Sequence, residues 1–367
     1  MVRVPVTTAS TSYEAVIEHG LLSRAGEILK QLFGGVPPLF IVTVAPVHRR
    51  WGKPLLRSLI SAGFTPQFVE MRDGERFKRL STVEALSEKL LQLGADRKAV
   101  VLAFGGGVVG DVAAMLASVY MRGVKLVQIP TTVQAQLDAA IGGKTGVNLR
   151  AGKNLVGTFY QPQVVLIDPA TLATLSPREF RAGMYEALKA GVIGNPELFS
   201  RLEKSAIATL RKNKDKDLLT WILAESVRLK AQVVSADEKE GDLRRVLNFG
   251  HTIGHALEAA TAYRSFLHGE AVAWGMIAAT RISVEIGLCE SAVYDRIVHA
   301  TRAWGPLPKV NVPTAKALKL MQSDKKTEAG AVHFVLPKEI GKVEIVKNVP
   351  ERAIAAAMAE IRQASRG

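Results

Sequence analysis

The chain has one cysteine in 367 residues, Cys289, so an intramolecular disulfide framework is excluded. Aromatic residues make up only 6%, and they do not interleave with the lysines and arginines, so the stacking platform of a single-strand nucleic-acid binder is missing. Every apolar stretch is broken by Gly, Pro or charge before it reaches bilayer-spanning length. The opening MVRVPVTTASTSYEAVIEHG has no apolar core of signal-peptide length. A cytoplasmic protein with no membrane partner is therefore expected. Acidic residues are in short supply as well: 34 against 48 Lys and Arg, a net charge of +14. Such an excess suits either nucleic acid or a small anionic substrate. The basic residues are scattered, with only short runs such as Arg211-Lys212-Asn213-Lys214, which favours the small substrate.

What is present is a foldable core. Nearly half the residues are apolar, and the length exceeds the roughly 250–300 residues at which a single core stops growing. Two domains are expected, 1–175 and 176–367. In the first, apolar strand-like runs at 39–44, 65–70, 99–104, 124–129 and 164–167 alternate with helical spacing at 51–62 and 81–93, the signature of an α/β domain with a parallel sheet. Beyond about residue 175 helical spacing dominates, at 178–193, 197–211, 216–236, 250–262, 269–287 and 290–303. A short strand pair near 332–346 follows.

The run 99–104 leads directly into Gly105-Gly106-Gly107-Val108-Val109-Gly110-Asp111. A glycine-rich turn between strand and helix leaves backbone N–H groups uncovered for a pyrophosphate; it also occurs as a tight βα turn with no ligand. An ordinary dinucleotide fingerprint carries an acid about 20 residues on. Here the next strand ends Ile129-Pro130-Thr131-Thr132, so any dinucleotide is held in a variant geometry. Gly142-Gly143-Lys144-Thr145 lacks the preceding glycine of a P-loop, because Asp138 stands there, which disfavours a nucleotide triphosphatase. With Gly152-Lys153-Asn154 it still offers lysines beside glycines for a phosphate or carboxylate.

Asn248-Phe249-Gly250-His251-Thr252-Ile253-Gly254-His255 places two histidines on one helical face, and His268 opens the next helical run. A catalytic metal site takes three protein ligands and keeps a position open, and Glu186 is a candidate carboxylate. No H-E-x-x-H occurs, so a zinc protease is disfavoured. His19, His48, His299 and His333 read as structural.

Taken in order, these segments resemble the 3-dehydroquinate synthase family along nearly the whole chain, with Tyr120-Met121-Arg122-Gly123, Glu186 with Lys189, and His268-Gly269-Glu270 completing the match. The resemblance implies an α/β domain binding NAD, a helical domain binding a divalent metal (zinc or cobalt), and a homodimer. It implies Glu186, His251 and His268 as metal ligands and His255 as a proton-transfer group. Asp138, Lys144, Asn154, Lys189, Lys230, Arg244 and Asn248 would surround substrate, with Arg122, Lys153 and Lys325 or Lys326 on its phosphate or carboxylate. Gly106, Gly107, Val108, Val109, Gly110, Asp111, Thr131 and Thr132 would line NAD, with Glu75 and Lys78 nearby and Asp138, Lys144 and Lys153 also in reach. The implied reaction takes 3-deoxy-D-arabino-heptulosonate 7-phosphate, a phosphorylated seven-carbon sugar acid, to 3-dehydroquinate through transient oxidation, phosphate elimination, re-reduction and aldol closure. The alternatives are another sugar phosphate cyclase, a metal-dependent polyol dehydrogenase and a nucleic-acid-binding protein. One departure stands out: Val44 occupies the strand end where the family usually presents Asp or a similar polar residue. NAD is then expected to bind more weakly, with Glu75 and Lys78 carrying more of the adenosine end. Discrimination against NADP is expected to be poor, with His48-Arg49-Arg50 close by.

Overall fold

The computed structural model describes residues 1–212, 214–325 and 332–366, the side chains of 323–325 excepted. The chain divides into two compact units, Met1–Leu175 with Asn213–Lys239, and Ser176–Lys212 with Glu240–Gly367. The break after residue 175 lies where the sequence pattern changes. Residues 213–239, placed by that pattern in the second domain, belong to the first instead. Helical spacing alone does not say which surface a helix covers.

The first unit begins with the hairpin β1 (Val2–Thr7) and β2 (Ser12–Ile17), followed by α1 (Ala25–Phe33), β3 (Leu39–Val44), α2 (Ala45–Ser61), β4 (Gln67–Met71) and α3 (Leu80–Gln92). Next come β5 (Val100–Gly105), α4 (Gly107–Val119), β6 (Lys125–Pro130), the small hairpin β7 (Val147–Leu149) and β8 (Gly152–Val156), and β9 (Val164–Ile167). Seven strands form one sheet in the order β1-β2-β9-β6-β5-β3-β4, with β1 antiparallel to β2 and the remaining pairs parallel. A parallel sheet is covered on both faces, so its strands read as continuous apolar runs. In β5 the side chains alternate: Val101 and Ala103 join the core with α3 and α4, whereas Val100, Leu102 and Phe104 join the core with α1 and α2. Because α2 starts at Ala45 with Pro46 in its first turn, it is longer than the 51–62 expected.

In the second unit, α5 (Pro177–Gly194) opens on a capping box of Ser176 and Glu179, which satisfies two orphan backbone donors. The expected helix 197–211 is two short ones, α6 (Pro196–Glu203) and α7 (Ile207–Arg211). After α8 (Lys216–Ala236), which packs in the first unit against β1 and β2, the second unit continues with α9 (His251–Ala260), α10 (His268–Glu285), α11 (Ser291–Ala303), α12 (Thr314–Lys325), the hairpin β10 (His333–Glu339) and β11 (Lys342–Lys347), and α13 (Glu351–Ala364). None of the described helices is long and apolar enough to cross a membrane.

Candidate active site

Glycines bring three helices of the second unit together. A Cβ on Gly275 of α10 would fall 1.8 Å from the carbonyl oxygen of Gly250, at the start of α9, and a Cβ on Gly269 would fall 1.8 Å from that of Ala182 on α5. Only glycine permits such backbone approach. The side chains carried there are Glu186 on α5, His251 and His255 on α9, and His268 on α10. The start of α10 is held by Glu270, which accepts two hydrogen bonds of 2.7 Å from Arg178 and one of 2.9 Å from the Leu267 amide.

Glu186 Oε1 lies 3.4 Å from His268 Nε2 and 3.8 Å from His251 Nε2. Ligands on a tetrahedral zinc at about 2.0–2.1 Å sit roughly 3.3 Å from one another, so these three atoms have nearly the required spacing. The second nitrogens are already committed. His251 Nδ1 donates to the Phe249 carbonyl at 3.2 Å, and His268 Nδ1 donates to Glu258 Oε2 at 3.1 Å, an arrangement that turns each Nε2 toward Glu186. Glu186 is 1% exposed. Lys189 Nζ pairs with its Oε2 at 2.6 Å, yet neither carboxylate oxygen has a hydrogen-bond partner of good geometry. Buried acceptors left in this way are costly, and a divalent cation would satisfy them. The donor set of one carboxylate and two imidazoles suits zinc and cobalt alike. His255 is exposed, and the ligand atoms of His251, His255 and His268 all lie within 4.8 Å of one another.

The local electrostatics agree. Burial pushes the Glu186 carboxyl up, but the Lys189 ammonium and the two imidazoles outweigh it and hold the group well below the usual carboxylate range. Burial and the Lys189 ammonium hold His251 well below its ordinary value. Burial also pushes His268 down, but the neighbouring Glu186 and Glu258 carboxylates outweigh it and carry the ring up to about 10. His251 is thus kept neutral, as a ligand must be, while the two carboxylates around His268 favour positive charge there.

In the first unit, β5 delivers Gly105 to the turn and α4 begins at Gly107. A Cβ on Gly107 would meet only Ala139, at 3.8 Å, so the helix N-terminus is left uncovered, as a pyrophosphate requires. The Thr131 amide donates to the Gly105 carbonyl at 2.9 Å, and a Cβ on Gly106 would come within 3.0 Å of the Thr132 methyl. Both threonines therefore lie against the turn. Val109 is buried in the core and Val108 packs partly against it, so the side chains of that pair serve packing.

Lys78, expected at the adenosine, is 4% exposed. It pairs with Asp111 and donates to Asn154 Oδ1 at 2.5 Å, tying the glycine-turn helix to the β7–β8 hairpin. Burial pushes the Asp111 carboxyl up against the pull of Lys78. Glu75 Oε1 accepts from Asn148 Nδ2 at 2.8 Å and lies 4.0 Å from Lys153 Nζ. Asn148 Oδ1 accepts from the Asn154 amide at 2.9 Å. Lys78→Met strands a carboxylate that is only partly exposed, so unfolding in urea should show a loss toward the lower end of the roughly 3–5 kcal/mol for a broken buried pair. An unchanged midpoint would assign Lys78 to ligand contact alone.

Lys230 on α8 reaches Asp138 Oδ1 at 2.5 Å, within a five-residue π-helical turn at Ala135–Ala139. Lys144 is exposed and bridges to Phe159. Arg122 and Asn154 hold left-handed backbone, φ 67° and 56°. Such strain costs about 1–3 kcal/mol at a non-glycine residue and clusters at functional sites. In the second unit Arg244 is buried and Asn248 half-buried, within the 3-10 turn Leu243–Asn248. Glu240 shares the strained conformation, φ 61°; no sequence pattern singled it out. Glu258 was also missed, although it follows His251 and His255 at the i+7 and i+3 spacing of one helical face. Lys326, and the side chain of Lys325, lie outside the described residues.

The family models for 3-dehydroquinate synthase match this chain at residues 68–182 (N-terminal) and 183–327 (C-terminal). It is 51% identical to the 3-dehydroquinate synthase of Koribacter versatilis (strain Ellin345) over 365 residues, 100% of this chain and 99% of the relative. It is 46% identical to that of Solibacter usitatus (strain Ellin6076), covering 96% and 97%. Among solved structures it is similar to ValA, the 2-epi-5-epi-valiolone synthase of Streptomyces hygroscopicus subsp. jinggangensis 5008 with NAD+ and Zn2+ bound. That likeness has a TM-score of 0.88 and 30% identity, covering 96% and 98% of the two chains. With motifs, fold and full-length identity in agreement, the chain belongs to the 3-dehydroquinate synthase family.

Proposed function

We propose that the protein converts 3-deoxy-D-arabino-heptulosonate 7-phosphate to 3-dehydroquinate and phosphate, using NAD and a divalent metal. The observation that carries the reading is the buried Glu186, facing the Nε2 atoms of His251 and His268, in a chain half identical to 3-dehydroquinate synthases over its full length. When bound, the metal acidifies a substrate hydroxyl and NAD takes up and returns one hydride. Glu186, His251 and His268 hold the metal, and Lys189 keeps Glu186 ionised. His255, the exposed member of the histidine set, moves a proton to or from substrate. Arg122, Lys144, Lys153 and Arg244 bind the anionic ends of the substrate, and Asp138, Asn154, Lys230 and Asn248 orient its hydroxyls. The chain's part is mainly orientation and electrostatics. Phosphate leaves by elimination, which makes the enzyme a carbon–oxygen lyase. The homodimer implied by the resemblance belongs to this proposal, and sedimentation equilibrium reads it directly.

Another sugar phosphate cyclase is the alternative with structural support, but identity to the valiolone synthase is 30% against 51% to a dehydroquinate synthase. A polyol dehydrogenase has a neutral substrate and would leave four basic residues without a purpose. The two classes separate by redox balance. Hydride leaves and returns within one turnover, so NAD is needed in catalytic amount and phosphate release proceeds with no accumulation of NADH. A rise in NADH absorbance matching substrate consumed would falsify the synthase assignment.

A further inference from the structure

The first unit has a cleft of about 520 Å³ beyond the carboxyl ends of β3 and β4, lined by Ala45, Pro46, residues 70–73, Arg76 and Phe77. We propose that this cleft seats the adenosine ribose of the dinucleotide and that Arg72 and Arg76 accept a 2′-phosphate there, so that the protein binds NADP as well as NAD. The inference rests on a dinucleotide lying at the Gly105–Gly110 turn and goes beyond it to the cofactor class.

The sheet order supplies the direction. β5 carries the turn, β3 pairs with β5, and β4 pairs with β3. Ligands of open parallel sheets lie outside the carboxyl ends of the strands. Adjacent strands are about 4.8 Å apart, so a ribose extending from the turn toward the cleft passes the end of β3. Dinucleotide sites place there an acid for the 2′-hydroxyl, or an arginine for a 2′-phosphate. Val44 ends β3 and is 4% exposed, and Ala45 and Pro46 follow, so none of the three offers a polar side chain. The neighbouring Thr43 hydroxyl already donates to the Phe104 carbonyl at 2.7 Å.

The remaining polar groups of the cleft divide unevenly. Glu70 Oε1 is taken by His48 Nδ1 at 2.6 Å, and the His48 ring is stacked on Phe68 with centroids 3.8 Å apart. His48 is therefore committed to Glu70, and Arg49 and Arg50 do not line the cleft; the cationic groups that do are Arg72 and Arg76. Their guanidinium carbons lie 5.6 and 4.7 Å from the centroid of the Phe77 ring. Both side chains are exposed, and neither has a carboxylate partner among the described residues. Each guanidinium presents a planar fork of donors, the geometry suited to a phosphate, and both border the same cleft. Asp73 is the other carboxylate of the lining. It can accept a 2′-hydroxyl from NAD, but the pair of arginines offsets its repulsion of a phosphate.

The test is calorimetric titration of NAD, NADP, adenosine 5′-monophosphate and adenosine 2′,5′-bisphosphate into the whole protein, the Arg72→Ala/Arg76→Ala double variant and Val44→Asp. Both arginines are exposed, so the double variant should fold. NADP is expected to bind the unaltered protein within about tenfold of NAD, and the bisphosphate more tightly than the monophosphate. The double variant should lose roughly 10–100-fold for the two 2′-phosphorylated ligands, in line with hydrogen bonds to charged groups, and less than about threefold for the others. Val44→Asp should tighten NAD and weaken NADP. The proposal is overturned if NADP binds more than about 100-fold more weakly than NAD, if the double variant weakens all four ligands alike, or if Val44→Asp changes neither cofactor. Failure of NAD itself to bind would overturn the dinucleotide reading first, and this one with it.

Discussion

Chelation abolishes phosphate release, a divalent transition metal restores it, and His268→Ala purifies without stoichiometric metal: these are the results expected of the Glu186–His251–His268 set. The variant removes one of three ligand atoms and leaves Glu186 buried with one imidazole and Lys189. Loss of a Lewis acid forfeits several kcal/mol of transition-state stabilisation, roughly 10³-fold or more in rate. His268 opens α10 and is about a quarter exposed at its side chain, and Glu270 rather than His268 caps that helix. The variant should therefore keep the circular dichroism of the parent. Elemental analysis decides: stoichiometric metal in folded His268→Ala would remove it from the ligand set.

His255→Ala should behave in the opposite way, keeping its metal while losing about 10²–10⁴-fold in turnover, the usual contribution of a positioned proton-transfer group. The structure gives a reason for dividing the pair. Both His251 and His268 have Nδ1 committed to an acceptor and Nε2 near Glu186, whereas His255 is exposed. All three nevertheless lie within ligand distance of one another, so the experiment discriminates. Equal metal loss in His255→Ala and His251→Ala would make the site a three-histidine one and leave the proton transfer to another group.

The gathering of the three histidines was legible because its signal is local: two histidines at helical spacing, a third at the next helix start, and glycines whose purpose only the packing explains. Gly250 and Gly254 look like punctuation around a motif, but Gly254 and Gly275 lie where α9 and α10 touch. The parallel strands were legible because burial on both faces leaves continuous apolar runs. The β7–β8 hairpin was not, since its burial is partial and Leu149 and Leu155 are exposed. Lys78 shows a different limit. The resemblance puts it near NAD, and nothing in the one-dimensional pattern brings Asp111 and Asn154 to it. Glu258 was recoverable from periodicity, and Glu240 was not, because backbone strain has no side-chain signature.

The return of residues 213–239 to the first unit sets an order of events during synthesis. β1 is an edge strand whose Val4 and Val6 are buried, and the helix packed against it, α8, is encoded about two hundred residues later. At the usual pace of translation the β1–β2 hairpin waits roughly 10–40 s on the ribosome for that partner. Meanwhile α5, α6 and α7 emerge, although they belong to the other unit. A nascent chain released before residue 213 would therefore carry all seven strands of the sheet and still show a bare apolar face at one edge, the kind of surface that trigger-type chaperones shield and that proteases find when they do not.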